Sequence, residues 1–210
     1  MVGSPGRPAR KRPERYHHGN LRRALVQQAV RTIQKRGIEG LTLRAVSEAL
    51  GVSRTALYRH FADKSALLTA VAREGFRTLR LELLEARERG GHGREGFDAM
   101  GLAYVRFAVR HPAYYRVMFG GFVEACEMDP ELLTETSAAF QVLVDALVAQ
   151  QEAGLVRRDE PLQLARFIWA TVHGIAMLAI DGQLRGPDGD VDGLIRFATE
   201  RIRSGIAAVN

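Results

Sequence analysis

Arg54, Thr55, Tyr58 and Arg59 form a dense row of side-chain hydrogen-bond donors. On a short helix these positions share an outward side, where guanidinium forks and hydroxyls suit the edges of nucleic-acid bases. Arg44 lies a short way upstream and is placed to reach a base as well. Lys64, Thr42 and His60 around the row, and Tyr58 itself, suit phosphate oxygens, which fix register without reading sequence, and Ser53 at the start of the row is a further DNA-binding candidate. A second set lies near the C-terminus. Trp169 and His173 fall one helical turn apart on one face, with Gly174 beside them to allow close approach. Upstream, Tyr104, Phe107, Tyr115, Met118, Phe119, Phe122 and Phe140 recur at helical spacing, and Met177 follows. Each alone suits a core. Together, aromatics and methionines with a few polar groups suit a cavity for a small organic molecule. His173 either touches that molecule or bonds a backbone group.

Other chemistry finds little support. The six histidines form no metal-ligand pattern, so no metal is expected. Cys126 has acidic neighbours in Glu124, Glu127 and Asp129, which disfavour a thiolate. Gly91-His92-Gly93-Arg94-Glu95-Gly96 matches a dinucleotide-binding spacing but follows a charged helix rather than a strand, and is read as a flexible loop. No acid–base or nucleophile constellation assembles, so neither catalysis nor a cofactor is expected.

The elements that must position these residues are helices. Apolar residues recur at 3–4 spacing along the chain and no β pattern stands out. The fold class is therefore all-α, with about nine helices. Leu21, Leu25, Ala29 and Ile33 mark the first, with Asn20 as its N-cap. A short helix follows Thr42 and ends at Gly51; another starts at Ser53 and runs through Arg59 with Leu57 turned inward. Val52 plugs the corner between them. Asp63 caps a long fourth helix with Leu67, Val71, Leu79 and Leu83 as its stripe. Further helices cover about 94–110 and 112–119, then Asp129 to Gly154 and Asp159-Glu160-Pro161 to about Leu184. The last carries Ile195, Ala198, Ile202 and Ile206.

Charge divides the chain in the same way. Residues 1–64 hold 14 Lys/Arg and 4 Asp/Glu; the remaining 146 of the 210 residues hold 16 and 20. A basic front on a mildly acidic body points to a polyanionic partner at one end. Residues 1–16, with three prolines and five basic residues, read as a flexible basic arm. Residues 17–64 read as a helical head and 65–210 as a larger body. One cysteine suits a reducing compartment. No leader pattern and no apolar stretch of the roughly 18–20 residues needed to cross a bilayer is found, so a cytoplasmic protein away from the membrane is expected.

Between Leu41 and Lys64 the chain reads LTLRAVSEALGVSRTALYRHFADK. The Gly51-Val52-Ser53 turn between two short helices is a tight helix–turn–helix, which holds its second helix proud of the surface. This stretch resembles the TetR family of bacterial transcriptional repressors, above all in Leu57-Tyr58-Arg59-His60-Phe61-Ala62-Asp63-Lys64 followed by Leu67. Ala45 and Ser65 stand where the family is often acidic, which weakens a capping interaction. Trp169, His173 and Gly174, with Tyr16-His17-His18-Gly19-Asn20-Leu21, resemble the family's Trp-His-Gly type. The resemblance implies a homodimer on a palindromic DNA operator, released when a small-molecule effector enters the C-terminal domain. It also implies a four-helix dimer interface from the last two helices, with Phe167, Ile175, Leu178, Ile195, Ile202 and Ile206 as candidates. The alternative is that these residues complete the core of a single chain. Rival functions are a carrier or enzyme using the C-terminal cavity, and an activator or corepressor-dependent regulator.

Overall fold

The computed structural model describes residues 18–121, 129–184 and 190–207. Within them the chain forms nine helices: α1 (His18–Arg36), α2 (Leu43–Ala49), α3 (Arg54–Tyr58), α4 (Lys64–Gly90), α5 (Arg94–Arg110), α6 (Pro112–Phe119), α7 (Pro130–Glu152), α8 (Pro161–Ile180) and α9 (Val191–Ile206). The all-α expectation is met. The basic arm, Phe122 and Cys126 lie outside the described residues.

Side-chain caps fix most helix starts. Thr42, Ser53, Asp63 and Asp129 each accept a backbone N–H three residues on, from Ala45, Ala56, Ala66 and Leu132, at 2.7–3.1 Å. Such caps are worth about 1 kcal/mol each. Asn20 differs from expectation: α1 begins before it, so Asn20 lies inside the helix. The cap of α8 is Glu160, whose carboxylate accepts from Leu162 and Gln163. That helix ends at Ile180, short of Leu184, where the Asp181 N–H closes the last turn on the Met177 carbonyl.

Two glycines decide how helices meet. Gly51 takes φ +66°, the left-handed conformation that lets α2 stop and α3 start at once. Of the Gly91–Gly96 stretch, residues 91–93 form an exposed connection, and residues 94–96 open α5, which packs tightly back on it at Gly96. A Cβ on Gly96 would sit 1.6 Å from the Gly91 carbonyl oxygen, so no other residue fits where α5 turns back against α4.

α4 is the common axis and packs on α1, α5, α6 and α7. Leu67, Val71, Phe76 and Leu79 are buried along it and join the head core (Leu25, Leu57, Phe61) to the body core (Val105, Phe107, Tyr115) in one cluster. A smaller cluster gathers Leu147, Leu164, Ile168, Ile202 and Ile206 between α7, α8 and α9.

Four of the six interface candidates are corrected by this packing. Ile175, Ile195, Ile202 and Ile206 are buried within the chain's own core. Each burial stabilises the single chain by about 1.5–3 kcal/mol, and none of these side chains is available to a second copy. Phe167 and Leu178 are exposed, as are Leu194 and Phe197. α7 and α8 are long and apolar enough to cross a bilayer by length and composition, contrary to expectation. Both also carry buried stripes that pack in the bundle.

Candidate functional site

Two arrangements stand out, one on the outside of the head and one inside the body. In the head, α3 rests on Leu57, which is 1% exposed, and on the buried Phe61 just after it. The Arg22 guanidinium lies 5.1 Å from the Phe61 ring centroid and closes that core from the α1 side. With one side of α3 committed inward, Arg54, Thr55, Tyr58 and Arg59 turn outward and are exposed. The structure thus brings the predicted donor row onto one surface.

The framing residues have a second duty. The oxygens of Thr42 and Ser53 are used as caps, while each O–H remains a donor. The Arg44 Nε donates to Glu48 at 2.7 Å, and that bond holds the guanidinium above its ordinary pKa. Its terminal nitrogens stay available. Lys64 donates to the Ile38 carbonyl at 2.8 Å, tying the start of α4 to the α1–α2 connection. An ammonium has three N–H groups, so this bond leaves donors over. His60 is half-buried in the turn after α3.

In the body, α4 to α9 line a half-open cavity of about 460 Å³, within the range of small-molecule sites. Its wall is mostly apolar. Of the predicted residues, Tyr104, Met118, Phe119, Phe140 and Trp169 line it. Phe107, Tyr115, His173 and Met177 do not. Phe107 and Tyr115 are wholly buried core, and Met177 packs partly buried against the same cluster. The reason is geometric: an apolar helix face is wider than the arc a cavity occupies, so most of its aromatics fill space instead.

His173 has a defined task. The Trp169 Nε1–H donates to the Tyr104 hydroxyl oxygen at 3.0 Å. The Tyr104 and Tyr115 hydroxyls lie 3.0 Å apart, and Tyr115 lies 2.6 Å from His173 Nδ1. His173 Nδ1 is also 3.1 Å from Tyr104. With Trp169 donating to Tyr104, the hydroxyls run either from Tyr104 to Tyr115 to Nδ1 or from Tyr115 to Tyr104 to Nδ1, and in both Nδ1 accepts. His173 then carries its proton on Nε2. Burial keeps the chain neutral by pushing the Tyr104 hydroxyl up to about 12, raising Tyr115 further and lowering His173. His173 is thus the terminus of a polar chain behind the cavity wall, and its Nδ1 bonds a side chain rather than the backbone.

Residues missed from sequence complete the wall: Phe76 and Leu79 from α4, Met100 from α5, Thr136 and Ser137 from α7, Arg166 from α8. The α4 pair was legible only as core. Arg166 did carry a signal, being the one Asp, Glu, Lys or Arg between Pro161 and Ile180.

α6 joins the two arrangements. It packs on α1 of the head and carries Met118 and Phe119 into the cavity wall. The Tyr114 hydroxyl donates to Glu74 of α4 at 2.9 Å; burial, then the Glu74 charge, pushes that hydroxyl up. Arg116 pairs with Asp181 at the end of α8 at 2.7 Å. Arg73 of α4 pairs with Glu131 of α7.

Comparison with known proteins gives concordant matches. Residues 25–71 match the family model of bacterial regulatory proteins, tetR family, and residues 97–202 match that of the tetracyclin repressor-like C-terminal domain. The solved structure of a protein of unknown function from Rhodococcus sp. RHA1 is similar, with a TM-score of 0.83 and 35% identity over 93% of this chain and 100% of that one. The HTH-type transcriptional repressor AcnR of Corynebacterium efficiens is 44% identical over 55 residues, 26% of this chain, and the chain spans 29% of that repressor's length. An uncharacterized HTH-type transcriptional regulator of Mycobacterium tuberculosis is 26% identical over 88% of this chain and 81% of its own length.

Proposed function

The chain belongs to the TetR family of bacterial regulatory proteins, and on that premise we propose that it is a cytoplasmic, sequence-specific DNA-binding repressor, homodimeric on a palindromic operator and released by a small-molecule effector. The observation that carries this reading is the exposed donor row of Arg54, Thr55, Tyr58 and Arg59 on a helix anchored from beneath by Leu57. Two such helices in a dimer meet successive major grooves roughly 34–36 Å apart, or a multiple of it. Lys64 and the Thr42 and Ser53 hydroxyls contact phosphates, and Arg44 reads a base from the preceding helix.

The dimer contact uses the apolar residues that the fold leaves outside. Phe167 and Leu178 on α8 and Leu194 and Phe197 on α9 are exposed on adjacent helices. A monomer mass by light scattering at micromolar concentration would remove this part of the reading.

The effector occupies the cavity between α4 and α9. It favours a conformer in which α4 and α6, which touch both cavity and head, hold the two heads out of register with the operator. Its effect cannot exceed its difference in affinity for the two conformers. Footprinting on the DNA flanking the protein's own gene, with and without candidate metabolites, tests the whole reading. The expected outcome is a protected palindrome that is lost with one class of compound. No protected palindrome would shift weight to a carrier or enzyme; protection gained with a compound would make it corepressor-dependent.

A further inference from the structure

We propose that the molecule this cavity takes is an amphiphilic carboxylate, an apolar body with one anionic headgroup, held tail inward with the carboxylate on Arg166. The inference rests on the reading of the cavity as the effector site and adds its ligand class. Phe76, Leu79, Met100 and Phe140 supply a wall with no charge. Among the described lining residues, Arg166 is the one charged at neutral pH, and none is acidic. Elsewhere in the body Arg106, Arg116, Arg196 and Arg203 each pair with a carboxylate, at Asp192, Asp181, Asp190 and Asp98. Arg166, like Arg77, Arg87, Arg94 and Arg158, has no carboxylate partner among the described residues, and of these five it is the one that lines the cavity. It is exposed on an otherwise uncharged helix and lines the cavity.

A guanidinium fork matches a carboxylate with two parallel hydrogen bonds. Thr136 and Ser137 line the same cavity, and their hydroxyls donate to no group among the described residues, so both are open to a ligand. The charge balance favours a carboxylate over a phosphate monoester. A monoester carries roughly −1.5 to −2 at neutral pH, which one arginine leaves uncompensated at an apolar wall. A neutral ligand would fill the same space but gain nothing from Arg166.

Trp169 is the single tryptophan and lines the cavity, so its fluorescence reports occupancy. The full chain and its Arg166→Gln variant would be titrated with decanoate, 1-decanol and decyl phosphate, and each compound also tested for release of the protected operator. Decanoate is expected to bind the wild-type chain about tenfold tighter than 1-decanol, as a charge-assisted hydrogen bond predicts. Arg166→Gln should abolish that gap while leaving 1-decanol affinity unchanged, which also shows the variant to be folded. Equal affinities in the wild type, a gap that survives Arg166→Gln, or a preference for decyl phosphate would each overturn the carboxylate assignment and leave the cavity as effector site standing. If none of the three perturbs Trp169, or if they bind without affecting the operator complex, the effector-site reading falls and the ligand class with it.

Discussion

The head and the body place their working groups on opposite sides of their own cores. In the head, the core is a small foundation and the polar row of α3 stands outside it. In the body, the core is hollow, and the groups of interest face inward around an apolar space. An outward site tolerates change without loss of fold, because its side chains are not packed. An inward site shares its residues with the structure that holds it, so function and stability there are hard to alter separately.

The sharpest way to break this contrast is to attack the foundation of the head. Leu57→Ala should cost about 2–5 kcal/mol, as buried leucine truncations do. Because head and body share one core cluster through α4, the denaturant midpoint should fall in a single transition; two transitions would mean that the head stands alone. Next in size, Arg54→Ala or Tyr58→Ala should weaken operator binding by about 1–3 kcal/mol and alter base preference. Thermal stability should stay within about 0.5 kcal/mol of wild type, since both side chains are exposed. A gel-shift titration beside a melting curve separates the two effects. In the body the expectation inverts. Tyr104→Phe removes the acceptor for the Trp169 N–H and the hydroxyl bonded to Tyr115, which should cost about 1–3 kcal/mol of stability with operator affinity intact.

The smallest effect is one of pH. Burial lowers the His173 pKa from its ordinary 6.5. Above 6.5 both folded and unfolded forms are neutral at this site and it adds no pH dependence. As pH falls below 6.5 the unfolded chain takes up a proton that the folded chain resists, so stability declines until the lowered folded value is passed. His173→Asn should flatten that part of a melting-temperature profile and leave the rest unchanged.

The same contrast explains what could be read from the amino-acid sequence. The head was legible because its signals are local: caps at Thr42, Ser53 and Asp63, a glycine between two short helices, a donor row on the side opposite Leu57. The body was legible as helices, with Asp129 and the proline starts placing α7 and α8, but not as a cavity. Phe107 and Tyr104 differ by three positions on one helix and are both aromatic, yet one fills the core and the other lines the hollow. The four isoleucines of α8 and α9 went astray for the same reason. A broad apolar face shows that something covers it, and their cover is the chain's own α5 and α7 rather than a second copy. Arg166 was available to the reading as a lone charge on an apolar helix; its meaning needed the hollow beside it.

The crossing of α4 and α5 at Gly90 to Gly96 has a mechanical consequence. A rod clamped at one end turns small rotations there into large travel at the other. α4 has 27 residues, roughly 40 Å at the usual helical rise. A tilt of roughly 5° about the glycine crossing would carry the Lys64 end by roughly 3 Å over that length. That is the length of a hydrogen bond, enough to take a phosphate contact from made to broken. In the proposed release, the glycine crossing at the C-terminal end of α4 would be the fulcrum for the head's position, and the cavity wall at Phe76 and Leu79 lies along the lever between them.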